Sequence, residues 1–143
     1  MKVSELMTED VETVTPDTTL QNAAHTMARK DIGALPIVEN DRLSGIVTDR
    51  DITVRAVSIG RHPAVTTVRD IMTGEVKYVF ADEDVSDVAE AMADLQIRRL
   101  PVLNRDRRVV GIVSLCDLAR DVRPRRVGEA LQGISRPGGQ HNA

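Results

Sequence analysis

The residues best equipped for chemistry stand in two copies of one pattern, Gly45-Ile46-Val47-Thr48-Asp49-Arg50-Asp51 and Gly111-Ile112-Val113-Ser114-Leu115-Cys116-Asp117. Each sets a hydroxyl and a carboxylate three residues apart, directly after an apolar run. Two chemistries use that spacing. A Ser or Thr followed three residues later by an acid closes a capping box at a helix N-terminus, each side chain taking a backbone N–H. The same strand-to-helix geometry suits a nucleotide, because the helix end attracts phosphate and an ionised Asp accepts from both hydroxyls of a ribose. From the spacing alone the two readings stand level.

Other constellations are missing from the sequence. It contains no paired-cysteine motif, no His-Glu-x-x-His, no Gly-Lys-Ser/Thr phosphate loop and no Gly-x-Ser-x-Gly elbow. The expectation is therefore a protein that is not an enzyme, with no catalytic residue, catalytic cofactor or metal. His25, His62 and His141 fall in a helix, a linker and a tail, a pattern ill suited to converging on one ion. Cys116 stands alone, so it can close no internal disulfide, which fits a reducing, cytoplasmic setting. In a first helical turn it is expected to be a small semi-buried thiol, with a redox role as the alternative. Met7, Met27, Met72 and Met92 occupy equivalent places in two halves and point to core filling.

The chain has 143 residues, 41% of them hydrophobic, enough for a core without membrane burial. It has no Trp, one Tyr and one Phe, so recognition by aromatic stacking of the kind single-stranded nucleic-acid platforms use is disfavoured. A net charge of -3 and a pI near 5.6 argue against nucleic acid as main partner. Arg123, Arg125 and Arg126, the dense basic run, read as a solvated helix end. Met1 to Asp10 carries charge and no long apolar run, so neither export nor membrane insertion is expected.

The elements that must position the two motifs come from an internal repeat. Val3-Ser-Glu-Leu-Met-Thr matches Val68-Arg-Asp-Ile-Met-Thr, and the match continues through Val14 with Val79, Asp17 with Asp82, Ala24 with Ala89, Ile32 with Ile97 and Leu35-Pro36 with Leu100-Pro101. In each copy the hydrophobic period predicts strand, helix, strand, strand, helix. In the first copy these are a strand over Val11 to Thr15, then a helix with Thr18 and Gln21 at capping-box spacing. A buried stripe of Leu20, Ala23, Ala24, Met27 and Ala28 runs along that helix. A hairpin of Leu35 to Val38 and Leu43 to Val47 turns at Asn40-Asp41, and a closing helix spans about Thr48 to Ser58. The second copy repeats the stripe at Val85, Val88, Ala89, Met92 and Ala93. Its hairpin is Leu100 to Leu103 with Val109 to Val113, and its closing helix runs to about Arg123. The expected division is repeat 1 over 1–59, a linker over 60–67, repeat 2 over 68–123 and a partly disordered tail over 124–143.

Taken together, Leu-Met-Thr ahead of the first strand, Leu-Pro-Ile-Val and Leu-Pro-Val-Leu, and two Gly-h-h-Ser/Thr-x-x-Asp motifs resemble a tandem pair of cystathionine β-synthase (CBS) domains. The resemblance covers about residues 3 to 123. It implies a mixed α/β fold of two β-α-β-β-α repeats related by a pseudo-twofold axis, with two adenosine-ligand clefts and a homodimeric disc. The implied function is a stand-alone sensor of AMP, ADP, ATP or a related adenosine ligand such as NAD, acting on a regulated protein in trans. A constitutive dimerisation module is the alternative. Carried over by position, the more complete cleft uses Ser114 and Asp117, with Cys116 beside them and Arg99 near phosphate, and Thr15, Leu20, Ile32 and Gly33 around the base. The second uses Thr48 and Asp51 with Phe80, Val85, Ile97 and Arg98. In that second cleft Ala34 stands where its sibling has Arg99, and Arg50 replaces Cys116.

Overall fold

The chain does not pack along the boundaries of its sequence repeats. In a computed structural model describing residues 1–121 and 124–137, Glu12–Val76 form one unit, and Met1–Val11 with the chain from Lys77 onward form the other. The leader of each repeat is thus built into the unit carrying the other repeat's hairpin.

In the unit of residues 12–76, α1 (Leu20–Lys30) leads to the antiparallel pair β1 (Ala34–Glu39) and β2 (Arg42–Thr48), then α2 (Asp49–Arg55). Thr19, not Thr18, caps α1, its side chain accepting from Asn22 N–H at 3.2 Å; Thr18 Oγ1 instead accepts from Thr15 N–H. The expected strand at Val11 to Thr15 shrinks to a single parallel bridge between Val14 and Ile37, because Pro16 and the turn Thr18 N–H to Thr15 O bend the chain away at once. The two-residue turn works through Asn40 and Asp41, both in the left-handed region (φ 53° and 61°), which Asn and Asp tolerate best among residues with a Cβ. Leu20, Ala23, Met27, Leu35, Ile37 and Val47 form the core with Val68 and Ile71 of the second leader. Ala24 and Ala28, expected in the stripe, are exposed. The predicted closing helix is shorter, ending at Arg55 before a 3-10 turn at Val57–Ile59.

The other unit repeats the plan as β3 (Val79–Phe80), α3 (Val85–Leu95), β4 (Arg99–Leu103), β5 (Val109–Ser114) and α4 (Leu115–Asp121). β3 pairs parallel with β4, and β4 antiparallel with β5. Both hairpins carry a register shift at the same place, Ile37/Val38 and Val102/Leu103. The fold class expected from the sequence, mixed helix and strand in two like repeats, is the one observed.

Each leader is strapped to its hairpin by backbone bonds. Thr8 N–H donates to Ile112 O (2.8 Å) and Ile112 N–H to Thr8 O (3.1 Å); Thr73 and Ile46 exchange the same pair at 3.1 and 3.2 Å. The glycine that opens each motif makes this approach possible. A Cβ on Gly111 would lie 2.6 Å from Met7 Sδ and 2.8 Å from Thr8 O, and one on Gly45 would lie 2.8 Å from Met72 Sδ. The leader methionines therefore fill the space that glycine leaves, while Met27 and Met92 are core residues.

The stretch expected to be a tail begins as a helix, α5 (Pro124–Ile134). Pro124 suits a first helical position, where its missing N–H removes no bond. α5 packs on α3: Gln96 Nε2 donates to Gly133 O (3.0 Å) and Arg136 O (3.2 Å), and Ala130 and Ile134 are buried. It covers Ala89 and leaves Ala93 half-buried, the counterparts of the exposed Ala24 and Ala28. Gly128 and Arg125 lie on its outer side, where Arg125 pairs with Glu129 at 3.1 Å. Arg123 and residues 138–143, part of the expected basic run and disordered tail, lie outside the described residues.

Two glycines of α5 should separate in a stability measurement. A Cβ on Gly133 would meet Ala93 Cβ and O at 2.7 Å, so Gly133→Ala should lower stability by roughly 1–3 kcal/mol in urea unfolding. Gly128→Ala meets nothing within 4 Å and should gain up to about 1 kcal/mol from helix propensity.

Candidate functional site

Both Thr/Ser-x-x-Asp motifs form the capping box that their spacing allows. At the start of α2, Thr48 N–H donates to Asp51 Oδ2 (2.9 Å) and Asp51 N–H to Thr48 Oγ1 (3.0 Å). At the start of α4, Ser114 N–H and Oγ–H donate to Asp117 Oδ2 (2.8 and 3.0 Å), and Asp117 N–H returns to Ser114 Oγ (3.2 Å). The strand-to-helix joint is held from the preceding turn too: Asp49 N–H donates to Gly33 O, and Leu115 N–H to Arg98 O. One carboxylate oxygen in each copy is therefore structural. The chemistry open to the motif depends on the other.

That second oxygen differs between copies. Asp51 Oδ1 lies 3.7 Å from Arg55 Nε, and Arg55 is itself tied down by donating to Ile71 O at 3.0 Å. Asp51 is 1% exposed. Asp117, also buried at 7% exposed, has Oδ1 3.9 Å from Arg120; neither ion pair is within hydrogen-bond distance, but the Arg120 side chain is 74% exposed against 43% for Arg55. By alignment Arg120 matches Val54, and Asp121 stands where repeat 1 has Arg55. The carboxylate of repeat 2 is thus paired with the more exposed arginine of the two.

Strand register adds a cation to one copy. Arg99 lies directly opposite Ser114 across β4 and β5, so the two side chains share a face of the sheet, whereas Ala34 lies opposite Thr48. Arg99 is half-buried and pairs with no carboxylate among the described residues. Arg50 is exposed, its N–H donating to Asp49 Oδ1 at 2.9 Å. Cys116 is exposed, not semi-buried, since α4 turns Leu118 inward and Cys116 out.

The remaining sequence-predicted residues divide by unit. Thr15 (exposed), Leu20 (buried), Ile32 and Gly33 (half-buried) lie in the unit that carries Thr48, Arg50 and Asp51. Phe80 (half-buried), Val85 and Ile97 (buried) and Arg98 (exposed) lie in the unit that carries Arg99, Ser114, Cys116 and Asp117. Sequence reasoning missed Arg55 and Arg120, the residues that decide how each carboxylate is occupied. Their spacing from the aspartates, four and three residues on, was the readable signal.

The CBS domain family model matches the chain at residues 3–57 and again at 68–123. The chain belongs to the CBS domain family. As a CBS pair it is 40% identical over 134 residues to the CBS domain-containing protein YhcV of Bacillus subtilis, covering 93% of this chain and 94% of that one. It is 34% identical over 134 residues to hypoxic response protein 1 of Mycobacterium tuberculosis, covering 93% of each. A crystal structure of Hypoxic Response Protein I, with two coordinated zinc ions, superposes with a TM-score of 0.77 at 35% identity, over 86% of this chain and all of that one. The CBS pair of MJ0100, in complex with 5'-methylthioadenosine and S-adenosyl-L-methionine, superposes at 0.74 with 32% identity, over 84% of this chain and 94% of that one. Both sequence relatives are matched along nearly their whole length, with no room for a large catalytic domain beside the pair. Among the described residues no three His, Cys, Asp or Glu side chains are grouped to hold a metal, and no helix is long and apolar enough to cross a membrane.

The two capping aspartates should differ in their worth to stability. Asp51→Ala leaves a buried Thr48 N–H without its acceptor and should cost about 2–3 kcal/mol, while Asp117→Ala, at a more exposed joint, should cost about 1 kcal/mol. Urea unfolding of the two variants measures the gap, and equal losses would contradict the unequal environments described above.

Proposed function

We propose that this CBS pair is a regulatory module that binds an adenosine-containing ligand, with Asp117 as acceptor for the ribose hydroxyls. The observation that carries the reading is the division of labour at Asp117: Oδ2 closes the capping box and Oδ1 has, among the described residues, no hydrogen-bonding neighbour closer than Arg120 at 3.9 Å. An ionised carboxylate with one fixed and one available oxygen is a pre-set acceptor for a diol. Arg99, on the same sheet face as Ser114, supplies a cation suited to phosphate. The MJ0100 pair's ligands, 5'-methylthioadenosine and S-adenosyl-L-methionine, share adenosine and lack phosphate, so adenosine is the common element. AMP, ADP, ATP and NAD carry the same element and would add a contact to Arg99. Thr15, Leu20, Ile32 and Gly33 are proposed to surround the base of this ligand, with Cys116 beside the ribose.

For the second motif the same observation favours a structural role. Asp51 is buried, and its Oδ1 already has an anchored arginine. Thr48, Arg50, Asp51, Phe80, Val85, Ile97 and Arg98 are proposed as a weaker adenosine site. Ligand binding would act by favouring one arrangement of the module over another, and so its affinity for a second copy of the chain or for a regulated protein in the cytoplasm.

Calorimetric titration with AMP, ATP, NAD, 5'-methylthioadenosine and S-adenosyl-L-methionine should give saturable binding for at least one. Asp117→Ala should weaken the tighter site by about a hundredfold, the loss of a charge-assisted hydrogen-bond pair. Affinity destroyed by Asp51→Ala but untouched by Asp117→Ala would reverse the ranking, and silence with all five ligands would leave the capping role as the whole function of both motifs.

A further inference from the structure

The end of β3 and the β4–β5 turn carry a cluster with no equivalent in repeat 1. Phe80, the chain's one phenylalanine, has the Arg105 guanidinium carbon 4.1 Å from its ring centroid. Asp82 grips that guanidinium with two parallel bonds, Nε to Oδ2 at 2.9 Å and Nη2 to Oδ1 at 2.7 Å. Tyr78 meets Phe80 edge-on, with centroids 5.6 Å apart and planes at 85°, and Arg107 Nη1 donates to Tyr78 Oη at 3.3 Å. The Arg105 guanidinium holds the Asp82 carboxyl below the usual carboxylate range, so the pair stays charged through neutral pH. In repeat 1 the aligned positions are Thr15, Asp17 and Asn40, with neither ring nor guanidinium.

A purine stacks on an aromatic ring by lying against its face. On Phe80 a face is taken by a cation whose plane is fixed by a bidentate acid. The fixing pair is open to water, with side chains 65% and 46% exposed, so salt screens it and it can be displaced. We infer that Arg105, held by Asp82, is a latch over Phe80: a purine stacks on that face of the ring only by displacing the guanidinium, and the latch sets the affinity of purine binding at Phe80. The inference rests on the adenosine reading above and adds a specificity-determining residue that lies in a turn outside both Thr/Ser-x-x-Asp motifs.

With a single phenylalanine in the chain, 4-fluorophenylalanine labelling yields one fluorine NMR signal that reports Phe80 alone. Titrated with AMP, and in parallel with 5'-methylthioadenosine, Arg105→Ala should shift that signal at about tenfold lower ligand concentration than the wild type, the order expected for losing one cation–π contact and its paired acid. Asp82→Asn, which leaves the arginine but loosens its grip, should fall between. Raising salt from 0.1 to 1 M should narrow the difference, because the latch is screened. Identical titrations of wild type and Arg105→Ala overturn the latch, and weaker binding by Arg105→Ala overturns it by making Arg105 a ligand contact. If calorimetry detects binding while the Phe80 signal stays fixed in both proteins, the latch falls and the adenosine reading stands. If neither protein binds either ligand by calorimetry, the adenosine reading falls and takes the latch with it.

Discussion

The close approach of each leader to the glycine that opens the opposite repeat's motif is the contact on which the rest of the structure depends. Met7 lies over Gly111 and Met72 over Gly45, at distances where any Cβ would force the leader backbone away. With that approach in place, Thr8 and Ile112, and Thr73 and Ile46, exchange paired backbone bonds, and Val3 and Val68 become fully buried parts of cores built on the other repeat. The motif's first residue therefore serves packing while its fourth and seventh serve the helix start. One seven-residue pattern joins strand, leader and helix in a single arrangement.

Duplication of that pattern has not produced duplicate chemistry. Capping is common to both copies, since it needs only backbone N–H groups and the two side chains three residues apart. The environment of the spare carboxylate oxygen is not common. In repeat 1 an arginine one turn along the helix is anchored to Ile71 O and stays beside Asp51. In repeat 2 an acid occupies that position, and Arg120, one residue earlier, extends into water. Arg99 opposite Ser114 and Ala34 opposite Thr48 deepen the difference. A third inequality is aromatic: Phe80 and its Arg105–Asp82 cover occur once. α5, present only after repeat 2, covers on α3 the alanine face that α1 leaves exposed. The two halves share a plan and differ in the side chains set around their motifs, hairpin turns and first long helices.

Most of the element order was legible because it rests on local rules. The stripe through Leu20, Ala23 and Met27, the Asn40-Asp41 turn and the proline-led strands at Leu35 and Leu100 are each set by neighbours within a few residues. Misreadings arose where a distant segment intervened. The strand at Val11 to Thr15 has a single pairing position, at Val14, and Pro16 ends its run. Ala24 and Ala28 carry a buried-face period, yet no helix covers them as α5 covers α3. Helix α5 itself was hidden behind Pro124 and two glycines, residues that lower helix propensity, although one of them, Gly133, is there because Ala93 leaves no room for a side chain.

By itself the sequence determined the repeat, the alternation of strands and helices, the family, and the capping spacing of both motifs, because all of these are patterns of residue type along the chain. Only the tertiary structure decided which leader belongs to which hairpin, how firmly each carboxylate's arginine is held, and which aromatic ring carries a cation. Those outcomes turn on where side chains far apart in sequence meet, Arg55 on Ile71 O, Met7 on Gly111 and Arg105 on Phe80, and no local period encodes such meetings.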